Sequence, residues 1–267
     1  MTDDISQLLK PLFALAQQSG EAIMEIYRQG ETEIHIKADH TPVTQADIVA
    51  NEIIVRGLQT LTPNIPILSE ELLATPFVER SKWQRYWLID PLDGTKEFIE
   101  RTDEFTVNIA LIEQHNPILG VVYAPALDIG YQACRGYGAF KHSAAGLYEF
   151  IKTREHPGAP ISITVSRRHG RRSGEYLQRF GEHNLHYCGS ALKICLIAEG
   201  IADIYPRLGK TSEWDTAAGH CVLQEAGGQI MDLQGQELRY NTKASLLNPE
   251  FLAVGDMQHN WLQYLHE

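Results

Sequence analysis

Apolar residues recur at helical spacing from the start of the chain: Ile5, Leu8, Leu9, Leu12, Leu15, Ala16, Ile23 and Ile26, up to Gly30. The spacing predicts a long amphipathic helix, interrupted or kinked early by Pro11. Residues 33–37 (EIHIK) alternate as a strand does, and 39–42 (DHTP) turn the chain. Ile48, Val49, Ile53, Ile54 and Leu58 predict a second helix, entered through VTQAD, and 65–68 a short strand running into Ser69-Glu70-Glu71. The apolar run YWLI at 86–89 reads as a buried strand that Pro91 should end, because proline donates nothing to a ladder. Strands over 105–112, 118–123, 128–133 and 136–141 then suggest an antiparallel meander.

The pattern is lost over 143–160 (SAAGLYEFIKTREHPGAP), which carries Pro157 and Pro160. That stretch is expected to connect an N-terminal α+β lobe, 1–142, to a C-terminal α/β lobe, 161–267. In the second lobe a strand over 161–166 meets the basic run RRHGRR, and helix, strand, helix and strand follow. Mixed α/β architecture in one compact, two-lobed unit is the fold class this implies.

Composition narrows the classes. At 267 residues, 43% hydrophobic and 21% charged, the chain is ordinary for a globular protein with a large core. No apolar run approaches the ~18 residues that cross a bilayer, and the opening MTDDISQLL lacks a basic leader region. A cytoplasmic protein, at most loosely associated with the inner membrane, is expected. Cys134, Cys188, Cys195 and Cys221 have no metal-ligand spacing and read as reduced, buried thiols. A formal charge of −11 argues against nucleic-acid polymers and anionic membranes as partners. An anionic substrate would therefore need a locally positive or metal-filled pocket.

Candidate chemistry begins at RYWLIDPLDGTKEFI, 85–99, where an apolar strand ends in Asp90 and Asp93, then Gly94 and Thr95. Two anions so close cost free energy unless one is protonated or a cation lies between them. Hard oxygen ligands on a short turn, with the Leu92 carbonyl beside them, suit Mg²⁺. The plainer reading makes Asp93-Gly94 a turn and Thr95 a helix cap. An EF-hand is excluded because the twelfth position from Asp90 is Arg101. The DxDGT arrangement of aspartyl-phosphate hydrolases is excluded because the two aspartates lie three residues apart, not two.

Ser69-Glu70-Glu71, WLIDPLDGT at 87–95 and WDTAAGHCVLQEAGG at 214–228 together resemble the metal-dependent, lithium-sensitive inositol monophosphatase superfamily. PVTQAD at 42–47, DPLDGTKEF, GSALKI and YPRLG look most like its CysQ-type 3′(2′),5′-bisphosphate nucleotidases. The resemblance spans roughly residues 5–235 and implies a layered αβαβα sandwich. It also implies that Glu70, Asp90 and the Leu92 carbonyl hold one Mg²⁺ and that Asp90, Asp93 and Asp215 hold a second, with two or three ions per site. Asp47, three residues after Thr44 in what reads as a capping box, would activate water with Thr95, and Glu70 would share in catalysis. On sequence alone Asp215 is a first-turn carboxylate of a helix; the resemblance makes it a ligand that also touches substrate.

Substrate contacts implied in the same way are Gly94, Thr95, Ser166, His169, Gly189 and Lys193. The run at 167–172 is ordinarily a solvated face, but arginine suits the phosphate that is not cleaved. Ala191 departs from close relatives, which often carry a hydroxyl there. His35, His115, His183, His186 and His220 form no constellation. The expected activity is hydrolysis of the 3′-phosphate of adenosine 3′,5′-bisphosphate to AMP and phosphate, linked to sulfate assimilation, in a monomer or homodimer. The alternatives are the same chemistry on inositol monophosphate or another sugar phosphate, and a non-catalytic metal or nucleotide sensor.

Overall fold

The structure, a computed structural model, describes residues 4–30, 34–36, 42–72, 75–155, 160–167 and 176–265. A 3-10 turn, Ile5–Leu8, leads into helix α1, Leu9–Gln29. The early interruption expected at Pro11 takes the form of a change from 3-10 turn to α-helix at Leu9, two residues before it, and α1 then runs unbroken. Pro11 is the third residue of α1, in the first turn, where proline is tolerated. A two-stranded ribbon, β1 (Ile34–Ile36) and β2 (Pro42–Thr44), precedes α2, Gln45–Leu61.

The larger sheet has seven strands: β3 (Ile67–Ser69), β4 (Arg85–Asp93), β5 (Thr106–Glu113), β6 (Asn116–Ala124), β7 (Ile129–Cys134), β8 (Gly138–His142) and β9 (Tyr148–Ile151). They lie in chain order, with β3 parallel to β4 and every later pair antiparallel. Strand β9 falls inside the stretch expected to be connection. Its signal is weak because it is the sheet edge: Tyr148, Glu149 and Phe150 are exposed and only Ile151 is buried.

The second sheet has the order β11-β10-β12-β14-β13, built from β10 (Ile161–Val165), β11 (His183–Tyr187), β12 (Ile204–Arg207), β13 (Gln229–Asp232) and β14 (Phe251–Val254). Helices α5 (Leu192–Ala198) and α6 (Glu213–Glu225) complete this half. Two short helices, α3 (Phe77–Arg80) and α4 (Thr95–Ile99), flank β4.

Alternation along β4 explains the layering. Trp87 and Ile89 point to one face and bury with Leu12, Ala16 and Ile54 of α1 and α2. Tyr86 and Leu88 point to the other and bury with Ile194, Ala217 and Cys221 of α5 and α6. The far side of that helix pair meets Tyr205 and Phe251 of the second sheet. The sheet's outer face, with Ile163, Ile204 and Val254, is closed by Phe180 and Trp261. This is the αβαβα sandwich expected. All four cysteines are free and buried, and no helix among the described residues is long and apolar enough to cross a membrane.

Candidate active site

Pro91 does not end the strand; β4 continues to Asp93. Asp90 pairs with Asn108 and Asp93 with Thr106, so three steps along β4 match two along β5. The extra residue is a bulge that absorbs the proline. It also settles where the carboxylates go. In a regular strand, residues three apart face opposite sides; here the bulge returns Asp93 to the face of Asp90. That face already carries Tyr86 and Leu88 and looks toward α6.

The neighbouring strand supplies Glu70 by the same parity. Leu68 pairs with Leu88 and shares its face, and the Glu70 N–H donates to the Ile89 carbonyl at 3.2 Å, so Glu70 stands beside Asp90. Opposite them, α6 begins in a capping box, where the Ser212 N–H donates to Asp215 Oδ2 at 3.0 Å. One carboxylate oxygen from each of Glu70, Asp90 and Asp215 lies within 4.8 Å of the others.

Asp90 is buried, and its carboxyl is pushed well above the usual range by burial and then by the charges of Glu70, Asp93 and Asp215. Asp215 is raised by burial and by Asp93. Burial raises Asp93 to about 6 against the pull of Lys193 and the amide of Asn108, which donates to its Oδ2 at 3.3 Å. An all-oxygen cluster, buried at Asp90 and half-buried at Glu70 and Asp215, with this excess of negative charge fits a hard divalent cation.

A second capping box opens α2. The Thr44 N–H and hydroxyl donate to Asp47 Oδ2 at 2.8 and 2.7 Å, and the Ala46 N–H donates back to the Thr44 hydroxyl. The other Asp47 oxygen accepts the Thr95 hydroxyl at 3.2 Å, and Thr95 also lies 3.4 Å from the Leu92 carbonyl. Gly94, at φ +92°, makes the turn from the bulge into α4. The water-activating pair expected from the sequence is thus in contact across 48 residues.

Beside the carboxylates lies a cavity of about 260 Å³ that Gly94, Ser166, Lys193 and Asp215 help line. Lys193 is buried; its ammonium donates to the Ser190 carbonyl at 2.7 Å and lies 5.3 Å from the Tyr205 ring centroid. Gly189 packs where a Cβ would fall 2.5 Å from the Glu104 carbonyl oxygen, so only glycine fits. His169 and the basic residues at 168–172 lie outside the described residues. Arg167 is described, and its guanidinium is paired with Glu104.

Sequence reasoning missed several of the cavity's walls: Lys96, Glu97, Ser190, Tyr205 and Arg207. Ser190 holds a left-handed backbone, φ +46°, and its hydroxyl is buried without a hydrogen-bond partner among the described residues. Ser190 lies within GSALK itself, but nothing in that stretch of sequence reports its backbone angle. Arg207 sits at the end of β12, which only the sheet order brings to the site.

The chain matches the inositol monophosphatase family across residues 4–263. The chain belongs to that family. Within it, the 3′(2′),5′-bisphosphate nucleotidase CysQ of Salmonella typhimurium is 51% identical over 91% of this chain and 98% of its own length. CysQ of Aggregatibacter actinomycetemcomitans is 40% identical over 98% and 97%. The crystal structure of CysQ from Bacteroides thetaiotaomicron superposes with a TM-score of 0.82 at 37% identity, covering 96% of this chain and 99% of that one. An inositol monophosphatase from Thermotoga maritima gives 0.79 at 27% identity, over 96% and 95%. In this chain that fold carries the cluster, both capping boxes and the cavity.

Proposed function

We propose that this chain is a Mg²⁺-dependent 3′(2′),5′-bisphosphate nucleotidase that releases the 3′-phosphate of adenosine 3′,5′-bisphosphate, giving AMP and phosphate, in the cytoplasmic chemistry of sulfate assimilation. The observation that carries the reading is a cation-seeking carboxylate cluster beside a cavity that Lys96, Lys193 and Arg207 line. Those three cations suit a substrate with a second anionic group on a protein whose net charge is −11. The kinship with CysQ nucleotidases points the same way.

Glu70, Asp90, Asp93, Asp215 and the Leu92 carbonyl are the groups that would hold the metal. When bound, Mg²⁺ supplies an acidified water and charge stabilisation for the phosphoryl group in transfer. The protein's own part is proton handling and placement. Thr95 orients the attacking water and passes its proton to Asp47 Oδ1, which faces the Thr95 hydroxyl at 3.2 Å. Asp47 Oδ2 is anchored by the α2 cap, so its other oxygen is held in place for this task. Lys193 and the Ser190 hydroxyl receive the substrate. A pure sensor has no use for the Asp47–Thr95 pair, which speaks against that alternative.

The test is phosphate release from adenosine 3′,5′-bisphosphate and inositol 1-phosphate in parallel, with Mg²⁺ and with added Li⁺. Preference for the nucleotide, suppressed by Li⁺, is expected. Preference for the inositol ester would keep the metal site and overturn the pocket assignment.

A further inference from the structure

The segment between α4 and β5 has an unusual build. Arg101 and Asp103 both occupy the left-handed region, at φ +59° and +64°, although neither is glycine. Such strain persists only where surrounding contacts impose it. Tyr27 of α1 does so: its carbonyl accepts from Arg101 Nη1 at 2.7 Å, its hydroxyl donates to Asp103 Oδ1 at 2.7 Å, and its ring lies 4.1 Å under the Arg101 guanidinium. Two residues after Asp103, Phe105 is fully buried.

What this pinned turn delivers is Glu104. One of its oxygens, Oε2, accepts both the Gly189 N–H at 2.9 Å and Arg167 Nε at 3.0 Å, while Oε1 takes the second arm of the Arg167 fork. Glu104 thus joins the segment between α4 and β5 to the segment that leads into Ser190 and Lys193. Both sides of the substrate cavity meet at one carboxylate.

We propose that Glu104 is a positioning residue for substrate binding: by clamping Gly189 and Arg167 it sets the 188–191 segment, and with it Ser190 and Lys193, against the substrate. This rests on the nucleotidase reading for the identity of that substrate. Glu104 lies outside the proton path of Thr95 and Asp47, so its loss acts on KM and spares kcat.

The experiment compares parent, Glu104→Ala, Glu104→Gln and Arg167→Met on adenosine 3′,5′-bisphosphate and on p-nitrophenyl phosphate, which offers no second anionic group. Glu104→Ala loses charge-assisted bonds to both partners, and an effect of about tenfold on KM for the nucleotide is expected, with kcat and both constants for p-nitrophenyl phosphate near parental. Glu104→Gln keeps an acceptor for Gly189 and is milder. Arg167→Met matches Glu104→Gln, and combining the two adds nothing further.

A parental KM in Glu104→Ala, an equal rise for both esters, or additivity in the double variant would overturn the proposal. Hydrogen exchange over 188–191 without substrate separates this from the functional reading. Faster exchange in Glu104→Ala supports the clamp even if the parent proves to prefer another ester, and unchanged exchange defeats it whichever ester is preferred.

Discussion

Helices α2 and α6 begin alike. Each opens with a hydroxyl residue followed three positions later by aspartate, Thr44 with Asp47 and Ser212 with Asp215, and each aspartate returns an oxygen to its cap's backbone N–H. By local structure the two boxes are one device. Their surroundings differ. The second oxygen of Asp47 meets the Thr95 hydroxyl, whereas Asp215 is set among Glu70, Asp90 and Asp93 and is raised well above the ordinary carboxylate range. Under the proposed function, the same motif serves proton transfer at one helix and cation binding at the other, and the bulged end of β4, lying between them, decides which.

The largest break in this symmetry is expected from Asp215→Asn. Asparagine can still cap α6, but phosphate release should fall by about a thousandfold, roughly 4 kcal/mol of barrier. In a chelator the same variant should melt above the parent, because it removes a charge from a crowded, largely desolvated cluster. Lower activity together with a lower midpoint in chelator would mean that Asp215 serves the fold rather than a cation.

Asp47→Asn should behave differently, with kcat down by about a hundredfold and the Mg²⁺ requirement unchanged. Thr95→Val should cost a similar amount, and the pair together little more than either alone, since the two act through one hydrogen bond. Full additivity would separate them.

A third contrast concerns pH. Asp90, Asp93 and Asp215 have folded pKa values raised above their unfolded ones, Asp93 to about 6. Their contribution to stability is complete below the ordinary carboxylate range and is lost as pH rises through the raised values. In EDTA the thermal midpoint should therefore fall between pH 5 and 8, each such group contributing up to about 1.4 kcal/mol per pH unit. Saturating Mg²⁺ should flatten the trend; a midpoint that rises with pH in EDTA would contradict the crowding. The smallest effect is the most symmetrical: Thr44→Ala and Ser212→Ala should each cost about 1 kcal/mol of stability, measured by denaturant unfolding.

Much of this could be read along the chain. Alternation and helical spacing located most strands and helices, and the acidic motifs singled out Glu70, Asp90, Asp93 and Asp215. Between Glu70 and Glu71 the family resemblance chose Glu70, and the register of β3 on β4 gives the physical reason. The bulge was hidden, because a proline in an apolar run reads as a strand end unless the partner strand's register is known. Strand β9 was hidden because an edge strand need not bury alternate residues. Ser190, Arg207 and Glu104 were hidden for a third reason: each matters through a residue far away in sequence, and periodicity carries no information about such pairs.

The most direct test of the contrast between the two boxes is the Mg²⁺ dependence of phosphate release in the parent, Asp47→Asn and Asp215→Asn. Asp47→Asn is expected to lower the plateau at an unchanged half-saturating Mg²⁺ concentration. Asp215→Asn should move that concentration upward by at least about tenfold, the change that the loss of one charged ligand contact brings. Equal shifts in the two variants, or none in Asp215→Asn, would contradict that contrast.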